Sequence, residues 1–193
     1  MKRLPPLLIL FLAAGCSRGP QVVVEARLDG SPVADLPVWI LPYDREALMD
    51  SLTAAAETPP PDIPPALIER LRSLENAPAP VNPLPGASDS TGFAGDPLRL
   101  ADSLRRARSE WAQAVYARLD TLAAERSGER PEFADTTDAA GRAALRVEPG
   151  RWWVYARYRL PDTELRWSVP LRLGTDGGAV TLERGNARVV PAL

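Results

Sequence analysis

Residues 135–158, DTTDAAGRAALRVEPGRWWVYARY, constrain the fold more than any other stretch of this chain. Apolar, β-forming positions alternate with polar ones on both sides of Glu148-Pro149-Gly150. Ala143, Leu145 and Val147 make one face of the first run; Trp152, Val154, Ala156 and Tyr158 make one face of the second, with Trp153 and Tyr155 opposite. A period of two predicts strands with one buried face, and the Pro-Gly step predicts a turn, so the stretch reads as a β-hairpin. Thr137, Asp138 and Gly141 read as a turn ahead of it. These are architectural residues and carry no reaction chemistry.

The same period recurs at both ends of the chain. Val22, Val24, Ala26 and Leu28 form one face of a strand, Asp29-Gly30-Ser31-Pro32 a turn, and Leu36 to Leu41 a second strand that Pro37 and Pro42 predict to be short or at an edge. Leu165, Trp167, Val169, Leu171 and Leu173 alternate along another strand; residues 174–178 turn, and Val180 and Leu182 face inward on a last one.

Between these blocks the period shifts to about 3.6. Asp44 can cap a helix through Glu57 with Leu48, Leu52 and Ala55 on one stripe. Pro64-Pro65 opens a second, bearing Leu67, Ile68, Leu71 and Leu74. A Pro-, Gly-, Ser- and Ala-rich linker spans 77–95. A third helix runs from Asp96-Pro97 to Ser127-Gly128, with Leu100, Leu104, Ala107, Trp111, Val115, Leu119 and Leu122 on one stripe. Arg108 and Arg118 fall inside that stripe; long stems covering apolar surface, with the heads in water or on a carboxylate, account for them. The expected fold is mainly β, a sandwich of about seven strands built from 21–43 and 132–185. It is interrupted by a helical insertion at 44–131 of three helices and followed by a tail at 186–193.

Met1-Lys2-Arg3 followed by an apolar run from Leu4 to Ala14 is too short to span a bilayer, which takes about 20 apolar residues, and reads as a signal peptide, 1–15. Leu12-Ala13-Ala14-Gly15-Cys16 resembles the bacterial lipobox, with Ala13 where Leu is commonest. That resemblance implies cleavage before Cys16, a diacylglycerol on its sulfur, usually a further acyl chain on the new amino terminus, and a lipidated linker over 16–20. Two or more acyl chains hold a protein firmly on a bilayer, since each buried methylene contributes about 0.8 kcal/mol. Ser17, in place of Asp, resembles the enterobacterial signal for the outer membrane. The expected location is therefore the cell envelope, with a membrane as partner through Cys16.

The chain has no histidine and this one cysteine, so no disulfide and none of the usual soft metal ligands are expected, and no cofactor. The net charge is −2, and losing Lys2 and Arg3 with the leader leaves the remainder more acidic, which disfavours nucleic acid as a partner. A nucleophile with a general base is not visible, nor a Ser in a nucleophile elbow, so no catalytic residue is assigned. Asp135 and Asp138 lie close enough in sequence to consider a glycosidase pair, and with Asp176 a calcium loop. Asp138 is already explained by its turn, and no dense run of alternating acids supports the metal.

The sandwich halves are similar to the carboxypeptidase regulatory-like family, a transthyretin-like β-sandwich. Gly30-Ser31-Pro32-Val33 with Leu36 and Val38 resembles its opening turn and second strand. Thr137-Asp138, Gly141, Leu145, Val147, Pro149-Gly150 and Trp152 resemble its T-D-x-x-G turn, strand and P-G-x-aromatic signature. Ala143 is smaller than the family's usual residue, so Trp152 must refill the core, and the insertion replaces a connection of a few residues. Lengthening a loop from about 10 to about 90 residues costs only about 2 kcal/mol in closure entropy. Ordering it costs roughly 1 to 2 kcal/mol per residue. The helices offset that only by burying their stripes, so the third helix is expected to pack on the outer face formed by Trp39, Leu41, Trp153 and Tyr155. If left open, Trp39, Trp153, Tyr155 and Tyr116 would instead form a sugar-stacking platform or a docking patch. The resulting expectation is a non-enzymatic envelope lipoprotein that engages an envelope protein or helps organise the envelope. A glycan-binding module is the alternative and an envelope hydrolase a distant third.

Overall fold

The computed structural model describes residues 19–75, 97–161 and 163–191; the leader, Cys16 and the 77–95 linker lie outside these. The chain opens with β1 (Gln21–Leu28), β2 (Ser31–Pro32) and β3 (Pro37–Leu41). Helices α1 (Arg45–Ala54), α2 (Pro65–Glu75), α3 (Pro97–Val115) and α4 (Leu119–Ser127) follow, the last two separated by a 3-10 turn at Tyr116–Arg118. Strands then resume as β4 (Phe133–Thr136), β5 (Arg142–Arg146), β6 (Gly150–Arg159), β7 (Thr163–Leu173), β8 (Gly178–Leu182) and β9 (Arg188–Pro191).

Two sheets result, and their inner faces hold the core. In the first, β5 lies antiparallel on one edge of β1 and β8 parallel on the other, while Asp29 and Gly30, with φ of 51° and 84°, fold β2 back on the end of β1. Positive φ at both central residues is what a two-residue type I′ hairpin requires. The second sheet is antiparallel in the order β4-β3-β6-β7-β9. Val22, Val24, Ile40, Val154, Trp167 and Leu182, each at most 1% exposed, meet between the sheets. The buried indoles keep their N–H groups bonded: Trp152 donates to the Glu148 carbonyl and Trp167 to the Glu183 carbonyl, each at 2.9 Å. Phe133 meets Trp152 edge-on at 5.6 Å, and Arg130 lies 4.0 Å over the same ring. Trp152 shares the core with the small Ala143.

The 135–158 stretch is not a hairpin. β5 pairs with β1 and β6 with β3 and β7, so Glu148-Pro149-Gly150 carries the chain from one sheet to the other. The segment from Thr137 to Gly141 does the same between β4 and β5. Alternation fixes which face of a strand is buried, and that is identical whether two strands pair side by side or stack across a core.

Other expectations are also corrected. The described residues contain nine strands where about seven were expected, and the 186–193 segment holds β9, which pairs with β7 from Thr163↔Pro191 to Arg166↔Arg188. β3 is short but internal, flanked by β4 and β6; Pro37 sits at its first residue, where a missing N–H is tolerated. α1 ends at Ala54, before Glu57.

β3 and β4 pair directly, Ile40 opposite Phe133, so the insertion is the loop of a hairpin. The Tyr43 hydroxyl donates to Glu132 Oε1 at 2.7 Å and closes its mouth; burial and that carboxylate push the phenol up to about 12. Asp44 caps α1, its Oδ1 accepting from the Ala47 N–H at 3.2 Å and from Ser168 Oγ at 2.7 Å, which ties the helix to β7.

The third predicted helix is broken in two, and α1 with α4, not α3, covers the outer sheet. Leu41 and Tyr155 from the sheet, Leu48 and Met49 from α1, and Leu119 and Ala123 from α4 form a second apolar core. The 3-10 turn redirects the chain so that only the C-terminal part of the predicted stripe is seated. Leu98 and Leu100 remain 57% and 47% exposed, while Ala101 and Leu67 are buried and α3 packs on α2.

Candidate functional site

The turn residues named by the sequence are spent on architecture. Thr137 Oγ1 accepts from the Leu36 N–H at 2.9 Å and donates to the Val33 carbonyl at 2.7 Å, joining the two halves of the sandwich across the insertion. Asp138 Oδ1 accepts from the N–H groups of Ala140 and Arg142, both at 2.9 Å. Gly141 has φ of 74°, and a Cβ there would stand 2.5 Å from the Ala26 carbonyl oxygen. Asp135 accepts from the Thr136 and Ala144 N–H groups. Asp176 is bonded to Thr175, and no group of three acidic or thiol side chains comes together among the described residues.

The four aromatic candidates do not form one platform. Tyr155 is 4% exposed beneath the helices, where burial raises its phenol, and Trp39 leans on it at 5.9 Å. Trp153 is half-buried beside Pro42, Tyr43 and Arg126. Tyr116 lies on the opposite side of the second core, its hydroxyl 3.0 Å from Thr53 Oγ1 and its ring edge-on to Trp111 at 5.8 Å.

That last pair lines a half-open cleft of about 500 Å³ between the insertion and the edge of the second sheet. Its floor is set by strand register. Arg157 on β6 stands directly opposite Arg166 on β7, and Arg166 directly opposite Arg188 on β9, which puts three guanidinium groups in a row across three neighbouring strands. Arg159 adds a fourth from the sheet, and Arg105 and Arg108 face them from α3. The carboxylates lining the cleft are Asp50 and Glu164.

Like charges opposite one another repel, and the acids are arranged to offset this. Glu164 accepts from Arg157 Nε and Nη2, both at 2.8 Å, and from Arg166 Nε at 2.5 Å. Burial pushes its carboxyl up, but the bonds from the two arginines more than offset that and hold it below the usual range. Asp50 takes Arg188 Nη1 at 2.6 Å. Glu46, on the buried side of α1, comes only to 3.5 Å of Arg188, and neither carboxylate oxygen has a hydrogen-bond partner. Burial raises its pKa against the pull of Arg166, Arg188 and Arg157, with Asp50 adding to the rise.

The opposite wall is fixed by α3. Trp111 Nε1 donates to the Thr58 carbonyl at 2.9 Å and Arg108 Nη1 to the Pro61 carbonyl at 2.7 Å, so the proline-rich segment after α1 is strapped to the helix. Arg108 does more than shield apolar surface. The arginine row escapes sequence reasoning because alternation puts Arg157 and Arg166 on the outer face but cannot align them with each other or with Arg188.

No protein-family model matches the chain, and no curated protein matches it. It is similar at 10% identity to a solved structure of the pilus backbone (RrgB) from Streptococcus pneumoniae, over 86% of this chain but 41% of that one, with a TM-score of 0.30. This chain thus spans less than half the length of that protein.

Proposed function

We propose that the chain is a non-enzymatic lipoprotein of the cell envelope, held on a membrane through Cys16, whose sandwich carries a helical insertion that shapes a binding cleft. The observation that carries the binding reading is the seating of the insertion. α1 and α4 bury Leu41 and Tyr155 in a second core, so the cleft beside them has two walls of fixed geometry. A wall that is ordered before contact lowers the entropy cost of binding. The acids nearest a hydrolytic role, Asp135 on β4 and Asp138 in the turn after it, are occupied with backbone N–H groups. The two connections that pass the chain between sheets, Thr137 to Gly141 and Glu148-Pro149-Gly150, also support kinship with the carboxypeptidase regulatory-like sandwich. The anchor reading rests on the lipobox-like Leu12 to Cys16. Among the described residues no helix is long and apolar enough to cross a membrane.

Fractionation of bacteria expressing the full chain tests the anchor. The wild type is expected in the membrane pellet and the Cys16→Ser variant in the soluble fraction; retention of Cys16→Ser on membranes would sink it. Crosslinking in intact cells should then trap a reproducible envelope component.

A further inference from the structure

We propose that the cleft between α3 and the β7–β9 edge binds an acidic saccharide, one bearing carboxylate or phosphate groups. The inference takes the binding reading above as its premise and adds the chemistry of the occupant. Three arginines placed opposite one another on neighbouring strands are an arrangement that fold stability does not favour. Their donors are only partly spent. A guanidinium carries five N–H donors. Arg157 uses Nε and Nη2, and one carboxylate, Glu164, serves both it and Arg166. Among the described residues Arg166 donates only from Nε, and neither of its terminal amino groups is bonded. The cleft lining holds six arginines and two carboxylates, and even with Asp102 paired to Arg105 and Glu46 lying 3.5 Å from Arg188 the cations outnumber the acids there. In a chain whose net charge is −2, this makes the cleft the place that attracts an anion. Guanidinium forks match carboxylate and phosphate oxygens in pairs.

A sugar ring explains the other wall. Trp111 and Tyr116, set edge-to-face at 82°, give apolar ring surface on the wall facing the sheet arginines, suited to the C–H face of a pyranose. The cleft volume falls in the range of small-ligand sites, which run from about 300 to 1,000 Å³. An acidic peptide is the competing occupant. It would bind best by extending a sheet, but the edge strand here, β9, has four residues and ends in Pro191, which has no N–H to offer.

Calorimetric titration of the full chain with trigalacturonate, glucose 6-phosphate, maltotriose and triglutamate tests the assignment. Saturable binding of trigalacturonate or glucose 6-phosphate, weakened by added salt, is expected, and which of the two binds tells carboxylate from phosphate recognition. Arg188→Gln and Arg105→Gln, on exposed parts of the lining, should each weaken it about tenfold, as loss of one charged contact does. Trp111→Ala should weaken it similarly, with melting curves showing that each variant still folds. Equal binding of maltotriose would reduce the site to neutral stacking, and tighter binding of triglutamate would make it a peptide site; either overturns the proposal. So would the failure of both acidic sugars to bind. None of these results depends on the anchor, which the Cys16→Ser fractionation tests separately.

Discussion

Thr137 bonds to the backbone at Leu36 and Val33, 101 and 104 residues away, and is 2% exposed. Valine has the same shape but no hydroxyl. Thr137→Val would leave a buried N–H and a buried carbonyl without partners, at a cost of about 1–3 kcal/mol for each group left unsatisfied. Chemical denaturation should register a loss of about 2–6 kcal/mol, and a loss below about 1 kcal/mol would mean that water reaches the site. Gly141→Ala should cost about 1–3 kcal/mol for the left-handed backbone alone, with the Ala26 carbonyl clash adding to it. Glu46 and Glu164 give opposite pH dependences. Burial holds Glu46 above its unfolded value, so the native chain keeps a proton that the unfolded chain releases. Its contribution is fully present below the ordinary carboxylate range and is lost as pH rises through the raised value. Glu164 is held below its unfolded value, and its contribution is present above the ordinary range and lost as pH falls through the lowered value. In Glu46→Gln the melting temperature should stop declining as pH rises above the ordinary carboxylate range. A decline as steep as that of the wild type would show that Glu46 does not titrate there.

At the scale of elements, the helices matter through where they are seated. α1 is fixed at its start by Asp44, which caps it and also accepts from Ser168. Asp44→Ala should cost about 1–2 kcal/mol, the upper end of cap deletions, because the tie to β7 is lost with the cap. α4 is held by Leu119, 6% exposed over the outer sheet. Leu119→Ala should cost about 2–4 kcal/mol and loosen the cover over Tyr155, readable as a matching drop in the denaturation midpoint. The periodicity of 97–127 marks this region as helical but does not reveal the 3-10 break, because a 3-10 turn changes hydrogen bonding over a few residues while leaving the apolar spacing nearly intact. The same blindness to partners makes 142–159 look like a hairpin when its two strands belong to different sheets.

For the whole molecule, the insertion is a long loop closed by a strand pair, Ile40 opposite Phe133, and by Tyr43 on Glu132. Replacing residues 44–131 with a short turn should leave the sandwich folded, because the core between the sheets takes nothing from the helices. It would uncover Leu41 and Tyr155, so binding of an apolar dye should rise; loss of cooperative unfolding would show instead that the sheets need their cover. The sequence by itself determined β1, β3, β5, β6, β7 and β8 with their buried faces, the turn chemistry at Gly30, Thr137, Asp138 and Gly141, the helical character of the stretch between the sandwich halves and the acidic balance, since each depends on neighbours close along the chain. Tertiary structure alone decided which strands pair, which helix covers the outer sheet, and the alignment of Arg157, Arg166 and Arg188. Register and packing depend on contacts between residues far apart in the chain, and a local pattern does not encode them.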